Sequence, residues 1–522
     1  MIDTLLDKIG DWNPQLLREL KGRLTPKNII ISIGISAIAQ ILLFYLHLES
    51  NSDFHVSALY LFITLSIVGI ISLLVVGSYL LIEDLYREEK QGTLNFVRLS
   101  PQTSKSILLG KLIGVPILVY LAFFFVFPLH FGLGIYTGIP IHLILVFYSI
   151  VAVNCFLFYS AALLLALVQG EIKYSPAFLG SILMFGFSFI FALKFLYDTK
   201  PLPISAFNWF ALFYPGYILP YLVNQTPYSF SLFDGLSNNY FSNLTWFGVS
   251  FWSNPITACL FTLISYSLVI SWLWHGLDRR FHNRSISPLS KTQSYWLSGS
   301  IIVILIGFSI PNPIDRENGL KYLFENFSAI LILQFCLFCG LMGALSPHRK
   351  TLQNWSRYHH QKTKKNLLWD LIWGEESPAT LAIALNLLLT STIFLITIFI
   401  LPFGEYYRLQ LIISVLISSG IILLYSSLVQ WILLQKFKHR VVVAIATVTV
   451  LCSIPALSII SILPELFVLE SGKTLLSIVG QSIAIALINL QIARQLRHLG
   501  KSEMQELLSE NSRSKQYLSG IG

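Results

Sequence analysis

Two residue pairs invite a chemical reading first. Cys336 and Cys339 form a C-x-x-C, a spacing that supports thiol–disulfide exchange or half of a zinc site. The pair lies inside an apolar run, with neither a second cysteine pair nor a nearby histidine, so two small helix-packing residues are expected. The other cysteines, Cys155, Cys259 and Cys452, also fall within or at the edge of apolar runs. Glu88 and Glu89 could serve a metal or a general base, but no histidine is close to them. No histidine pair falls in mid-run, so no metal site is legible. His47, His55, His130 and His142 lie near run ends and are expected at a membrane boundary. The chain lacks any G-x-x-x-x-G-K-[ST] phosphate loop, so ATP chemistry by that route needs another chain. Carboxylates are absent from the centres of the apolar runs, where a charge costs about 2.5–3.5 kcal/mol, and ion-coupled carriers depend on such groups. Glu83, Asp84 and Asp198 sit at run ends, and Asp198 can pair with a snorkelling Lys194. Gln40, Asn154, Gln334, Asn386, Gln430, Gln481 and Asn489 are expected to bond across helices. No catalytic residue set emerges.

The elements that carry these residues follow from composition. Of 522 residues, 55% are hydrophobic and 12% charged, against about 25% charged in a soluble domain. The charges cluster between apolar runs of about 20 residues, the length of helix that crosses a bilayer core. Backbone groups in lipid must be paired internally, so the runs read as helices. The expected fold is all-α and polytopic, with about twelve transmembrane helices. The runs fall at 29–48, 56–82, 107–127, 141–168, 177–197 and 255–275, then 296–310, 328–345, 379–402, 409–434, 441–461 and 474–493. No cleavable signal peptide is evident, and the first span is expected to act as the insertion signal.

With both termini in the cytoplasm, Lys and Arg fall mostly inside. Only Lys194, Lys200, Arg316, Lys321, Arg408 and Lys473 are left outside. The net charge of +9 then faces anionic lipid, and no nucleic-acid partner is needed. The sequence divides into an amphipathic interfacial helix (1–28), a six-span half (29–296), a second six-span half (297–493) and a cytoplasmic tail (494–522). In both halves a long inner loop separates the second and third spans.

Three segments stand out. Asn13 can cap a helix whose first position suits Pro14. Its stripe of Leu16, Leu17, Leu20 and Leu24, flanked by Arg18, Lys21 and Arg23, suits the membrane interface. In the first inner loop, Gly92 breaks a charged helix and Thr93 can cap a short new one, which Ser100-Pro101 ends. That short helix carries Leu94, Phe96, Val97 and Leu99, an apolar face in the cytoplasm on which a soluble partner can push. The outer stretch 198–254 is rich in aromatics, among them Trp209, Phe213, Tyr214, Tyr217, Tyr221, Trp246, Phe251 and Trp252. It reads as re-entrant or interfacial helices, or as a loop on the headgroups. Asn243-Leu244-Thr245 in it is a glycosylation sequon. The basic run Leu277–Arg284 is expected to anchor a helix end to phosphates, with contact to a partner subunit as the alternative.

The run Glu88-Glu89-Lys90-Gln91-Gly92-Thr93-Leu94, with Leu99-Ser100-Pro101 and Ile107-Leu108-Leu109-Gly110-Lys111 after it, resembles the coupling-helix region of ABC-2-type transporter permeases. The Asn13–Leu24 helix resembles the connector helix of that family. The close match covers about 30 residues, with a looser fit of the six-span first half. Two departures stand out: Asn95 replaces the family's usual acid, and the second half has no Glu-x-x-Gly-Thr-Leu. Its corresponding loop carries Trp373-Gly374-Glu375-Glu376, read as a degenerate second docking element. The resemblance implies a permease in a bacterial-type plasma (inner) membrane, docked on a separate ATP-binding-cassette ATPase that holds ATP and Mg, with export the usual direction. It leaves open a second permease chain, and the substrate is not legible. An ATP-independent secondary carrier and a non-transporting membrane scaffold are the alternatives.

Overall fold

The computed structural model of the chain describes residues 8–48, 54–168, 175–197, 204–227, 241, 244–283, 286–310, 319–347, 349–361, 367–436, 440–462 and 471–500. Among these residues every named element is a helix. Eleven helices are long and apolar enough to cross a membrane, which makes this a polytopic membrane protein. The expected twelfth span lies in the helix Arg440–Ile462, whose described apolar stretch, Arg440–Leu451, is shorter. Residues 501–522, which make up most of the expected C-terminal tail, Asp198 and Asn243 lie outside the described residues.

The chain folds as two units, residues 1–284 with 307–313, and residues 285–306 with 314–522. Unit 1 begins with α1 (Pro14–Arg23), α2 (Pro26–Leu48) and α3 (Phe54–Gln91). It continues through α4 (Thr93–Arg98), α5 (Ser104–Gly114), α6 (Ile117–Tyr136), α7 (Ile141–Val168) and α8 (Ala177–Tyr197). Two short helices, α9 (Asn208–Ala211) and α10 (Leu219–Val223), flank a 3₁₀ turn at Pro215–Ile218 and precede α11 (Pro255–His282).

Helix α3 is the axis of unit 1 and packs on α2, α6, α7 and α8. Its 38 residues rise about 57 Å, nearly twice the apolar thickness of a bilayer. The expected span 56–82 is therefore only its apolar part. Residues Glu83–Gln91 continue the same helix, aided by the i,i+4 pair Arg87–Glu83 at 2.6 Å. The expected third span, 107–127, is instead two helices. Val115 and Pro116 separate α5 from α6, because Pro116 lacks an N–H to continue the helical ladder. Lys111 thus lies on a separate helix of 11 residues and not within a span.

Unit 2 contains α12 (Lys291–Ser309), α13 (Gly319–Leu345), α14 (Arg349–Gln361), α15 (Leu367–Trp373), α16 (Thr380–Ile400), α17 (Glu405–Leu434), α18 (Arg440–Ile462) and α19 (Ser471–Gly500). Its core joins Phe338, Leu341 and Met342 of α13 to Ile383 and Leu387 of α16 and Ile422 of α17. Polar side chains bond between helices, as lipid-embedded bundles require. Asn386 donates to Ser294 at 2.8 Å and accepts from Ser298 at 2.7 Å. Gln334 donates to Thr390 at 2.9 Å, and Asn489 to Ser427 at 3.0 Å. Gln481 departs from this pattern and bonds to Ser477 of its own helix.

Replacing Asn386 by Leu removes both links between α12 and α16. The thermal midpoint in detergent should fall by an amount equivalent to about 0.6–1.7 kcal/mol. Thr392→Val, which loses only a bond to Leu388 within its helix, should leave the midpoint unchanged.

Candidate functional site

Helix α4 is six residues long, too short to hold its shape unaided. Gly92 starts it from the left-handed region, at φ 76°, where a side chain would be strained. The cap position belongs to Gly92 and not to the expected Thr93, which is the first helical residue and donates its hydroxyl to Glu88 O at 3.1 Å. Leu94 is fully buried and anchors the helix. Arg98 holds the other end: it donates to Phe281 O at 2.7 Å, Asn95 Oδ1 at 3.1 Å and Glu89 Oε2 at 3.2 Å. Asn95, the departure from the family pattern, is thus an acceptor for Arg98. With the ends fixed, Phe96 stands 77% and Leu99 83% exposed. Thr93, Asn95 and Pro101 are exposed beside them, and Val97 is half-buried.

Helix α1 braces this arrangement from the side of α5. Asn13 caps it as expected, accepting from Leu16 N at 3.0 Å, and donates to Ser106 O of α5 at 2.7 Å. Pro14 takes the first helical position. The buried face is Gln15, Leu16, Glu19 and Leu20, while Leu17 and Leu24 are only half-buried. The buried face therefore keeps Leu16 and Leu20 of the expected leucine stripe and adds Gln15 and Glu19, because α1 packs on protein and turns polar side chains inward. A Cβ on Gly110 would lie 2.7 Å from Asn13 Oδ1 and 2.8 Å from Leu16 N, and one on Gly114 would lie 2.6 Å from Glu19 Cβ. These two glycines, four residues apart, give the small-xxx-small groove that lets the helix backbones approach.

Between the glycines stands Lys111, with its side chain fully buried. Its Nζ lies 2.6 Å from Asp84 Oδ2, 2.9 Å from Glu88 Oε2 and 3.5 Å from Glu19 Oε1. Arg23 pairs with Asp84 at 2.6 Å and Glu19 at 3.2 Å, and Arg18 pairs with Glu88 and, at 3.3 Å, with Glu19. Three cations meet three carboxylates, so the network is neutral, as a buried charge cluster must nearly be. The carboxylate oxygens of Glu19, Asp84 and Glu88 lie within 4.8 Å of one another, near enough to hold a metal ion; the ammonium of Lys111 fills that role. Burial alone would raise the Glu19 carboxyl, but Lys111, Arg23 and Arg18 outweigh it and hold it below the ordinary carboxylate range. Burial would likewise lower Lys111, yet Asp84, Glu19 and Glu88 hold it above the ordinary lysine range.

In unit 2 the stretch Trp373-Gly374-Glu375-Glu376 forms the turn between α15 and α16. Trp373 is exposed with its ring 5.7 Å from that of Trp369, and Glu375 and Glu376 are exposed beside it. The turn is held from within. Lys291 Nζ donates to Leu371 O at 2.8 Å and to Ser377 Oγ at 2.5 Å, and Ser377 donates back to Asp370 O at 2.9 Å.

Several roles were not legible in the sequence. His130 is buried and bonded through both ring nitrogens, to Ser66 at 2.7 Å and Tyr148 at 2.6 Å, a packing role that its place near a run end does not reveal. Arg280, expected at lipid phosphates, is buried and donates to Val168 O at 3.2 Å. The aromatics Trp209, Tyr214, Tyr217 and Trp252 are buried within unit 1 rather than spread on headgroups. Only tertiary contacts could reveal these, since each partner is remote in sequence.

No protein-family model matches the chain, and no curated protein or solved structure matches it.

Removing Lys111 leaves three carboxylates facing one another. Lys111→Met should cost about 3–5 kcal/mol, and Lys111→Met with Asp84→Asn, which restores neutrality, should recover part of it; thermal unfolding of the three proteins tests this. The docking of α1 also has a defined pH window. The depressed Glu19 contributes fully above its ordinary value and is lost as pH falls through its lowered one. The raised Lys111 contributes fully below its ordinary value and is lost as pH rises through its raised one. Trypsin cleavage within α1 should therefore stay slow from about pH 5 to 10 in a detergent-solubilised sample.

Proposed function

We propose that the chain is the membrane subunit of an ATP-binding-cassette exporter of the ABC-2 type. A separate ATPase subunit holds ATP and Mg and bears on α4. In this reading the α4 end of unit 1 and both chain termini face the cytoplasm, and twelve spans form two six-helix halves in a bacterial-type plasma membrane. The Trp373–Glu376 turn is the corresponding, weaker contact of unit 2.

The observation that carries the reading is the pair Phe96 and Leu99. Exposed apolar side chains normally mark a contact surface when they are grouped and held rigid. Here they stand on a short helix whose ends are clamped by Leu94 and Arg98, beyond the apolar part of α3. Leu94, Glu88 and Glu89 face inward and hold the helix, so the contact itself falls to Phe96, Leu99 and their exposed neighbours. A partner that pushes there meets a brace, because the charge network joins α1, α3 and α5 directly beneath.

Purification of the tagged protein from native membranes should recover an ATPase that contains a phosphate loop. Phe96→Glu with Leu99→Glu should reduce that recovery at least about tenfold, the effect of losing about 1.4 kcal/mol of binding, with unchanged expression and thermal midpoint. Recovery of no ATPase with the unaltered chain, or equal recovery with the double variant, counts against the proposal.

A further inference from the structure

Arg98 does more than end α4. Its guanidinium lies 5.6 Å from the ring centroid of Phe281 while its Nε donates to the carbonyl of that residue at 2.7 Å. Phe281 is in the last turn of α11, where helix carbonyls have no partner within the helix and favour a cation. On the other side of the loop, Ser104 at the start of α5 donates to Asp278, one turn earlier in α11. The α4–α5 connection therefore grips the end of α11 from both flanks, although α11 is about 180 residues away in sequence.

Helix α11 is continuous over 28 residues, a rod of about 42 Å. Toward its opposite end it holds the connection between the short helices α9 and α10. Tyr266 donates to Leu212 O at 2.6 Å, and Thr262 accepts from Tyr217 at 2.8 Å. All four residues are buried. Asn154 of α7 adds a bond to Phe213 O at 2.8 Å.

We infer that Arg98 is a positioning residue that couples α4 to α11, and that α11 carries a displacement of α4 to the α9–α10 cap at the other end of unit 1. The inference takes from the proposed function only that a partner bears on α4; the linkage itself rests on the contacts. Its chemistry is a single guanidinium shared among α3 (Glu89), α4 (Asn95) and α11 (Phe281), so that none of the three can move without the others.

Hydrogen–deuterium exchange of the full chain in lipid nanodiscs tests this without reference to any ATPase. In Arg98→Gln, amides of 93–98, 277–283 and 208–223 should exchange about tenfold faster, the effect of losing one charge-assisted hydrogen bond. Those of α2 and α6, and all of unit 2, should be unchanged. Arg98→Lys keeps the charge but not the forked donors and should give an intermediate increase at the same three places, which keeps the test open if the glutamine variant folds poorly. Phe96→Ala, which removes an exposed side chain, should change none of them. Faster exchange confined to 93–104 would overturn the relay, and faster exchange throughout unit 1 would reduce Arg98 to a general stabilising residue. Because the readout needs no partner, a failure to recover an ATPase would leave this result standing, and the reverse holds equally.

Discussion

A single buried ammonium organises the α4 end of unit 1. Lys111 has no access to solvent, so its charge must be met by the protein, and two different elements supply the three carboxylates: Glu19 from α1, and Asp84 and Glu88 from successive turns of α3. The need to neutralise those three acids in turn fixes Arg18 and Arg23 on α1. The amphipathic helix is thereby committed to one orientation against α5, with Gly110 and Gly114 clearing the space. A network of this kind gives little net stability over an apolar core, but breaking it is costly. Its value here is registry: it locks α1, α3 and α5 together under the short helix that faces outward from them.

That locking gives a mechanical meaning to the length of α3. The helix continues beyond its apolar part into Glu83–Gln91 and stops only where Gly92 enters the left-handed region. The turn that follows is held by Leu94 and Arg98, and it leaves Phe96 and Leu99 exposed. In the proposed mechanism a load on those two side chains passes into a braced corner of the bundle, and through Arg98 into α11. In unit 2 the turn after α15 relies on Lys291, whose donors go to neutral oxygens of the turn itself.

The apolar runs were the most legible feature of the sequence, because lipid imposes a length and a composition on every crossing helix. The runs 141–168 and 177–197 coincide with α7 and α8. The cap of α1 at Asn13 and Pro14 was equally readable, since capping is local chemistry. The break at Pro116 was not, because an apolar run continues across it and hydropathy is blind to a lost donor. The inward face of α1 is hidden from the sequence for a related reason: four leucines outweigh Gln15 and Glu19 in any amphipathic pattern, yet the partner surface on α5 carries Lys111 and attracts the glutamate. The Glu88–Leu94 run drew attention by its pattern, but only the fold separates its inward residues, Glu88 and Leu94, from the exposed Phe96 and Leu99. Arg280 reads as an ordinary interfacial cation, and its partner Val168, like the partner Phe281 of Arg98, lies far away in the chain.

The account stands most directly on what touches position 96 in the living membrane. A photoreactive benzoylphenylalanine placed there, irradiated in intact cells and analysed by mass, should form an adduct with a cytosolic protein that contains a phosphate loop. An adduct only with lipid, or one formed only with a protein on the far side of the membrane, would contradict the assignment of α4 as the surface through which ATP-driven force enters.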